Sequence, residues 1–161
     1  MGPGGPEMER AMTRMKSLTG GLALLMASLA AGAAVAGEAV TVYKTPWCGC
    51  CHEWAGALAE AGYAVRTVDL DDLTQVRRQA GVPQDMLSCH VAAAGGYFLE
   101  GHVPLEAVAT LLSQRPDIAG LAVPGMPQGS LGMGGEPEPY AVYAVPRDPA
   151  AAPYVFLGVG G

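Results

Sequence analysis

The sequence predicts a mixed α/β domain in the order β-α-β-α-β-β-α, followed by a C-terminal extension. Three observations carry this prediction. Short β-branched runs alternate with stretches of helical periodicity between residues 39 and 112. Gly95-Gly96 marks a two-residue hairpin turn between two apolar runs. A C-x-x-C pair, Cys48 and Cys51, falls where the first strand gives way to the first helix.

Ala39 to Lys44 (AVTVYK) reads as the first strand, ended by Thr45-Pro46-Trp47. From Cys51 the spacing turns helical, with Trp54, Leu58 and Ala61 on one face and Gly62 as the stop. Trp47 and Trp54 are expected to pack the turn and the helix. Tyr63 to Asp69 alternates and reads as the second strand. Asp71 or Asp72 can cap a second helix that carries Leu73 and Val76 and ends near Gly81. Cys89 to Ala94 and Tyr97 to His102 form the hairpin strands. Pro104 suits a helix's first turn, and Leu105, Val108, Leu111 and Leu112 give that last helix its stripe. A parallel β-α-β unit, an antiparallel hairpin and a closing helix are the plan of the thioredoxin fold. Beyond it, residues 120–161 hold a Gly/Pro-rich loop with Met126 and Met133, then strands at Tyr140 to Val145 and Tyr154 to Val159. The expected organisation is a leader over 1–36, the thioredoxin-like domain over 37–119, and an extension over 120–161 that is too short for a core of its own.

Bulk composition narrows the function. Half of the 161 residues are apolar, and the net charge is −6. No basic run lies beyond the N-terminus, so nucleic acid is excluded as a partner. Arg10, Arg14 and Lys16, an apolar stretch from Leu18 to Leu29, and Ala34-Val35-Ala36 have the form of a signal peptide with its cleavage site. The stretch is rich in Ala and Gly, which favours cleavage over a retained membrane anchor. Cleavage removes three basic and two acidic residues, taking the charge to −7, and keeps all four cysteines. Export would place them in an oxidising compartment.

Three of those cysteines sit in TPWCGCCHEW. Cys48 and Cys51 have the spacing of a redox pair, with thiols activated at a helix N-terminus, and are the candidate catalytic residues. Cys50 cannot join that bond, and a vicinal bridge to Cys51 would be strained. The topology brings a fourth sulfur in. Cys89 begins a strand antiparallel to the first, and His102 ends the next, so both lie at the cysteine end of the sheet. His90, one step along the strand from Cys89, should face away, and His52 should be solvated. Clustered thiolates suit Cu(I), Zn(II) or an iron–sulfur cluster. Zinc usually takes paired knuckles or C-x-x-C with two His, and iron–sulfur spacing differs. Met126 and Met133 offer thioethers in a loop with little apolar company, which favours copper. The candidate metal ligands are thus Cys48, Cys50, Cys51, Cys89, His102, Met126 and Met133. Thiolate sulfur can bridge metals, so a multinuclear copper site is chemically reasonable.

The stretches TVYKTPWCGCCHEW, SCHVAAAGGYFLEGHVP and GLAVPGMPQGSLGM resemble the CopG-like proteins, exported thioredoxin-like proteins of bacterial copper resistance. The resemblance spans most of residues 40–134. It implies a periplasmic copper protein whose C-terminal extension helps bind Cu(I)/Cu(II) at the C-x-C-C motif, and it carries over Cys48, Cys50 and Cys51 as copper-site cysteines. A copper exporter or periplasmic carrier is the implied partner, and a monomer is expected. The chain departs from the family at Leu131, where Pro is common, and at His52, where Lys is common. Three readings of the thiols stay open at this point: a copper-binding redox protein, a metal-free thiol–disulfide oxidoreductase, and a module held by two inert bridges. Under the first two, the chain would be an oxidoreductase acting on copper ions or thiols.

Overall fold

The computed structural model describes residues 37–160; the expected signal segment, 1–36, lies outside the described residues. The described chain builds a seven-stranded sheet in the order β2-β1-β3-β4-β5-β6-β7. These strands are β1 (Ala39–Lys44), β2 (Ala64–Asp69), β3 (Val91–Ala94), β4 (Tyr97–Glu100), β5 (Gly120–Ala122), β6 (Tyr140–Val145) and β7 (Tyr154–Val159). Helices α1 (Gly49–Glu60), α2 (Thr74–Ala80) and α3 (Leu105–Gln114) lie between them. β1 and β2 are parallel, β3 is antiparallel to both β1 and β4, and β4 and β5 are parallel. The first four strands and three helices follow the predicted β-α-β-α-β-β-α order, and β5 to β7 continue the same sheet.

Strand alternation separates two cores. On one face Val40, Val42, Leu99, Leu121 and Val142 pack with Trp54 and Leu58 of α1 and Val108 and Leu111 of α3. On the other, Val91, Phe98, Ala122 and Val145 meet Val82 and Met86. Each fully buried Leu or Val of the first core stabilises by about 1.5–3 kcal/mol. The hairpin turn is as read: Gly95 and Gly96 both take positive φ, 55° and 85°.

Several local expectations are corrected. Helix α1 starts at Gly49, earlier than its apolar spacing places it, because Cys48 is the N-cap and its sulfur accepts the Cys51 N–H at 3.3 Å. Ala61 is the exposed C-cap, and Ala55 instead joins Trp54 and Leu58 on the buried face. Trp47 does not pack the turn; it is 72% exposed. The N-cap of the second helix is Leu73, not Asp71 or Asp72, and it makes no side-chain cap bond; Asp72, one residue earlier, accepts both the N–H and the hydroxyl of Thr74. A 3-10 turn at Gln84–Met86 and the three-residue β5 carried no sequence signal long enough to read.

Candidate metal centre

The site lies beyond the C-terminal end of β1. The Cys48 N–H bonds the Thr45 carbonyl, which folds the cysteines back against the sheet. Tyr43 pairs with Val91 across β1 and β3, and Val91 with Glu100 across β3 and β4. Cys89, just before β3, and His102, just after β4, therefore reach the same corner.

Cys48, Cys50, Cys51 and Cys89 hold their sulfurs within 4.8 Å of one another. Cys48 and Cys51 are joined as a disulfide, and Cys50 and Cys89 are free. The structure thus holds one bridge and two thiols. Cys50 Sγ lies 3.5 Å from Cys48 Sγ and 3.8 Å from Cys89 Sγ. Burial pushes the Cys89 thiol up to about 12, and Cys50 beside it adds to the shift. A cation in the cluster would supply the missing counter-charge and favour the thiolate.

Two buried imidazoles flank Cys89. His102 Nε2 lies 3.0 Å from Cys89 Sγ, while its Nδ1 sits 2.7 Å from the Leu131 carbonyl oxygen. That carbonyl can only accept, so Nδ1 carries the proton and Nε2 turns its lone pair toward the sulfur. Burial lowers the His102 pKa, against the opposing effect of the Leu131 bond. His90 Nδ1 is 3.4 Å from Cys89 Sγ, and its ring centroid lies 4.5 Å from that of Trp54 with the planes tilted by 44°. Burial, then His102 and Arg77, bring His90 down to about 3. Both rings are neutral near pH 7 and available as ligands. Cys89, His90 and His102 form a second donor group sharing the Cys89 sulfur. The expectation that His90 faces away fails because Cys89 and His90 precede β3 instead of lying in it, so strand alternation does not govern them.

The Cys89 turn is held from below by a buried ion pair. Glu100, fully buried on β4, takes the Arg77 Nε at 3.0 and 3.2 Å and the Ser88 N–H at 2.7 Å. Arg77 also donates to the Ser88 carbonyl at 2.6 Å. Both backbone groups of the residue before Cys89 are thus fixed by one pair of charges. Burial raises the Glu100 pKa, and Arg77 and the Ser88 N–H oppose that shift. Sequence reading missed Arg77 and Glu100; the acidic residue inside the apolar run YFLEGH was the available signal.

The methionine loop roofs the same corner. Ser88 Oγ donates to the Gly125 carbonyl, and Gly125 N–H bonds Leu87. At the other end a Cβ on Gly132 would lie 2.7 Å from Trp54 N and 2.8 Å from the Cys50 carbonyl oxygen, and Gly132 has φ +86°. Only glycine fits that approach. The residues preceding Met126 and Met133 thus abut the two cysteine segments; Met126 itself is 55% exposed and Met133 half-buried. His52 is exposed, as expected.

Fold and site together define a mixed α/β protein carrying a cluster of soft donors at the end of its first strand. A family model described as a protein of unknown function, DUF411, matches residues 86–133. Two solved structures of the copper resistance protein CopG are each 36% identical to the chain. Form 1 has a TM-score of 0.71 and covers 78% of this chain and 99% of its own; form 2 has 0.70, 76% and 98%. No curated protein matches. The chain belongs to the CopG family.

Proposed function

We propose that this chain is an exported copper-binding protein whose cysteines hold Cu(I) as thiolates and exchange electrons with copper. One observation carries the reading: four sulfurs from two distant segments lie within 4.8 Å, with His102 Nε2 3.0 Å from one of them. Such a donor set prefers soft metals. The name of the solved relatives directs the choice to copper. With Cys48 and Cys51 bridged, Cys50, Cys89 and His102 remain as donors; reduction adds two more thiolates and room for more than one ion. Copper supplies a one-electron couple. On closing to the disulfide, the Cys48–Cys51 dithiol releases two electrons and two protons, enough to take two Cu(II) ions to Cu(I). The loop of residues 123–139 covers the cluster, and Met126 and Met133 are its thioether donors. The leader's charge and apolar pattern supports a periplasmic location. Passing copper to an exporter or carrier belongs to the same reading.

Anaerobic Cu(I) titration of the fully reduced protein against a chromophoric chelator tests this. The expected result is tight binding whose stoichiometry falls in Cys50→Ser and in Cys89→Ser. Unchanged stoichiometry in both variants overturns the cluster. A second reading, metal-free thiol–disulfide exchange, is favoured by the bridged Cys48–Cys51 pair. Strong insulin reduction by copper-free protein, surviving Cys50→Ser, would support it.

A further inference from the structure

The third thiol of C-G-C-C stands between two possible partners. Cys50 Sγ is 3.5 Å from one atom of the existing disulfide and 3.8 Å from the other free thiol, Cys89. Gly49, between Cys48 and Cys50, sets no side chain against the small ring that a Cys48–Cys50 bond would close. Cys51, the far partner of the disulfide, is fully buried, while Cys48, Cys50 and Cys89 are each partly accessible.

We propose that Cys50 is a relay sulfur that moves the disulfide from Cys48–Cys51 to Cys50–Cys89. The Cys50 thiol gives its proton to solvent and the thiolate attacks Cys48 Sγ; the Cys48–Cys50 bond forms and Cys51 leaves as thiolate. The Cys51 sulfur takes the proton of the Cys89 thiol. The Cys89 thiolate then attacks Cys50 Sγ, the Cys50–Cys89 bond forms, and Cys48 leaves, taking up the proton that Cys50 gave up. One disulfide and two thiols stand on each side, so no oxidant or reductant enters. The relay deepens the redox reading above, on which its use rests, but its chemistry needs no metal. It delivers the dithiol of C-x-x-C back in reduced form while the oxidising equivalent is held across the two segments of the site.

Trypsin makes the two isomers distinguishable. It leaves Cys48, Cys50 and Cys51 in one peptide, bounded by Lys44 and Arg66, and Cys89 in another, bounded by Arg78 and Arg147 because Pro116 blocks cleavage after Arg115. Copper-free, singly oxidised protein is held at pH 8, quenched in acid, alkylated with N-ethylmaleimide in denaturant, digested and weighed. The expected result is a linked pair of peptides in the wild type that disappears in Cys50→Ser and in Cys50→Ala, with the total disulfide content unchanged. No linked pair in the wild type overturns the relay. A linked pair that persists in both Cys50 variants also overturns it, since Cys89 would then attack the disulfide directly. The copper titration above is independent: its failure removes the copper reading and leaves the peptide map standing.

Discussion

His102 bridges Leu131 and Cys89, giving its Nδ1 proton to the loop carbonyl at 2.7 Å and facing the sulfur with Nε2 at 3.0 Å. A carbonyl behind a ligating imidazole fixes both tautomer and ring orientation. The extension therefore acts on the cluster through a backbone atom, whichever side chains the loop carries.

Moving that carbonyl should weaken metal binding without replacing a ligand side chain. In Gly132→Ala the new methyl meets Trp54 N and the Cys50 carbonyl and must displace the loop. Cu(I) affinity, by chelator competition, is expected to fall about 10–100-fold, the usual effect of disturbing a ligand's supporting partner. Wild-type affinity in this variant would show that the loop does not orient His102.

Removing one member of the buried Arg77–Glu100 pair should cost more than removing an exposed one. Arg77→Met leaves a carboxylate with no solvent exposure and no counter-charge, at about 3–5 kcal/mol. Arg147→Met, whose partner Asp117 is almost fully exposed, should change stability by less than about 1 kcal/mol. Urea midpoints of the two variants compare them directly.

Acid should destabilise the copper-free protein through His90. Its folded pKa, about 3, lies below the unfolded value of 6.5, so the unfolded chain binds the extra proton between them. The stability is present above pH 6.5 and is lost as pH falls toward 3. Between pH 6.5 and pH 5 the loss is roughly 2 kcal/mol. Urea denaturation at the two pH values should show at least this slope, and His90→Leu should reduce it, leaving the share of His102, whose pKa burial also lowers.

The two tryptophans should behave oppositely. Trp54 is fully buried and its indole N–H donates to the Val103 carbonyl at 2.9 Å, so Trp54→Ala is expected to cost about 3–5 kcal/mol. Trp47 is exposed, and Trp47→Ala should stay within about 0.5 kcal/mol of wild type by thermal or urea melting.

What was legible in the sequence followed from periodicity. β1, β2, α3 and the Gly95-Gly96 turn announce themselves by alternation, helical spacing or turn chemistry. Topology alone then predicted that Cys89 and His102 would reach the first cysteines, since strand direction decides which end of the sheet a residue occupies. The failures are of a different kind. β5 is three residues, too short for any period, and is stabilised by pairing with β4 and β6 on either side. His90 was misplaced because a strand was extended two residues beyond its ladder, where side chains no longer alternate. The Arg77–Glu100 pair joins a helix to a strand across 23 residues of sequence, and nothing local to either residue points to the other.

β5 and β6 are neighbouring antiparallel strands, so the chain leaves β5 after Ala122 and comes back to pair with it at Tyr143, one strand spacing, about 4.8 Å, away. The covering loop is therefore an insertion between two adjacent strands of one ladder. Changes of loop length leave the β5–β6 register in place, but they must keep the Gly125, Leu131 and Gly132 contacts that hold the loop to the thiol corner.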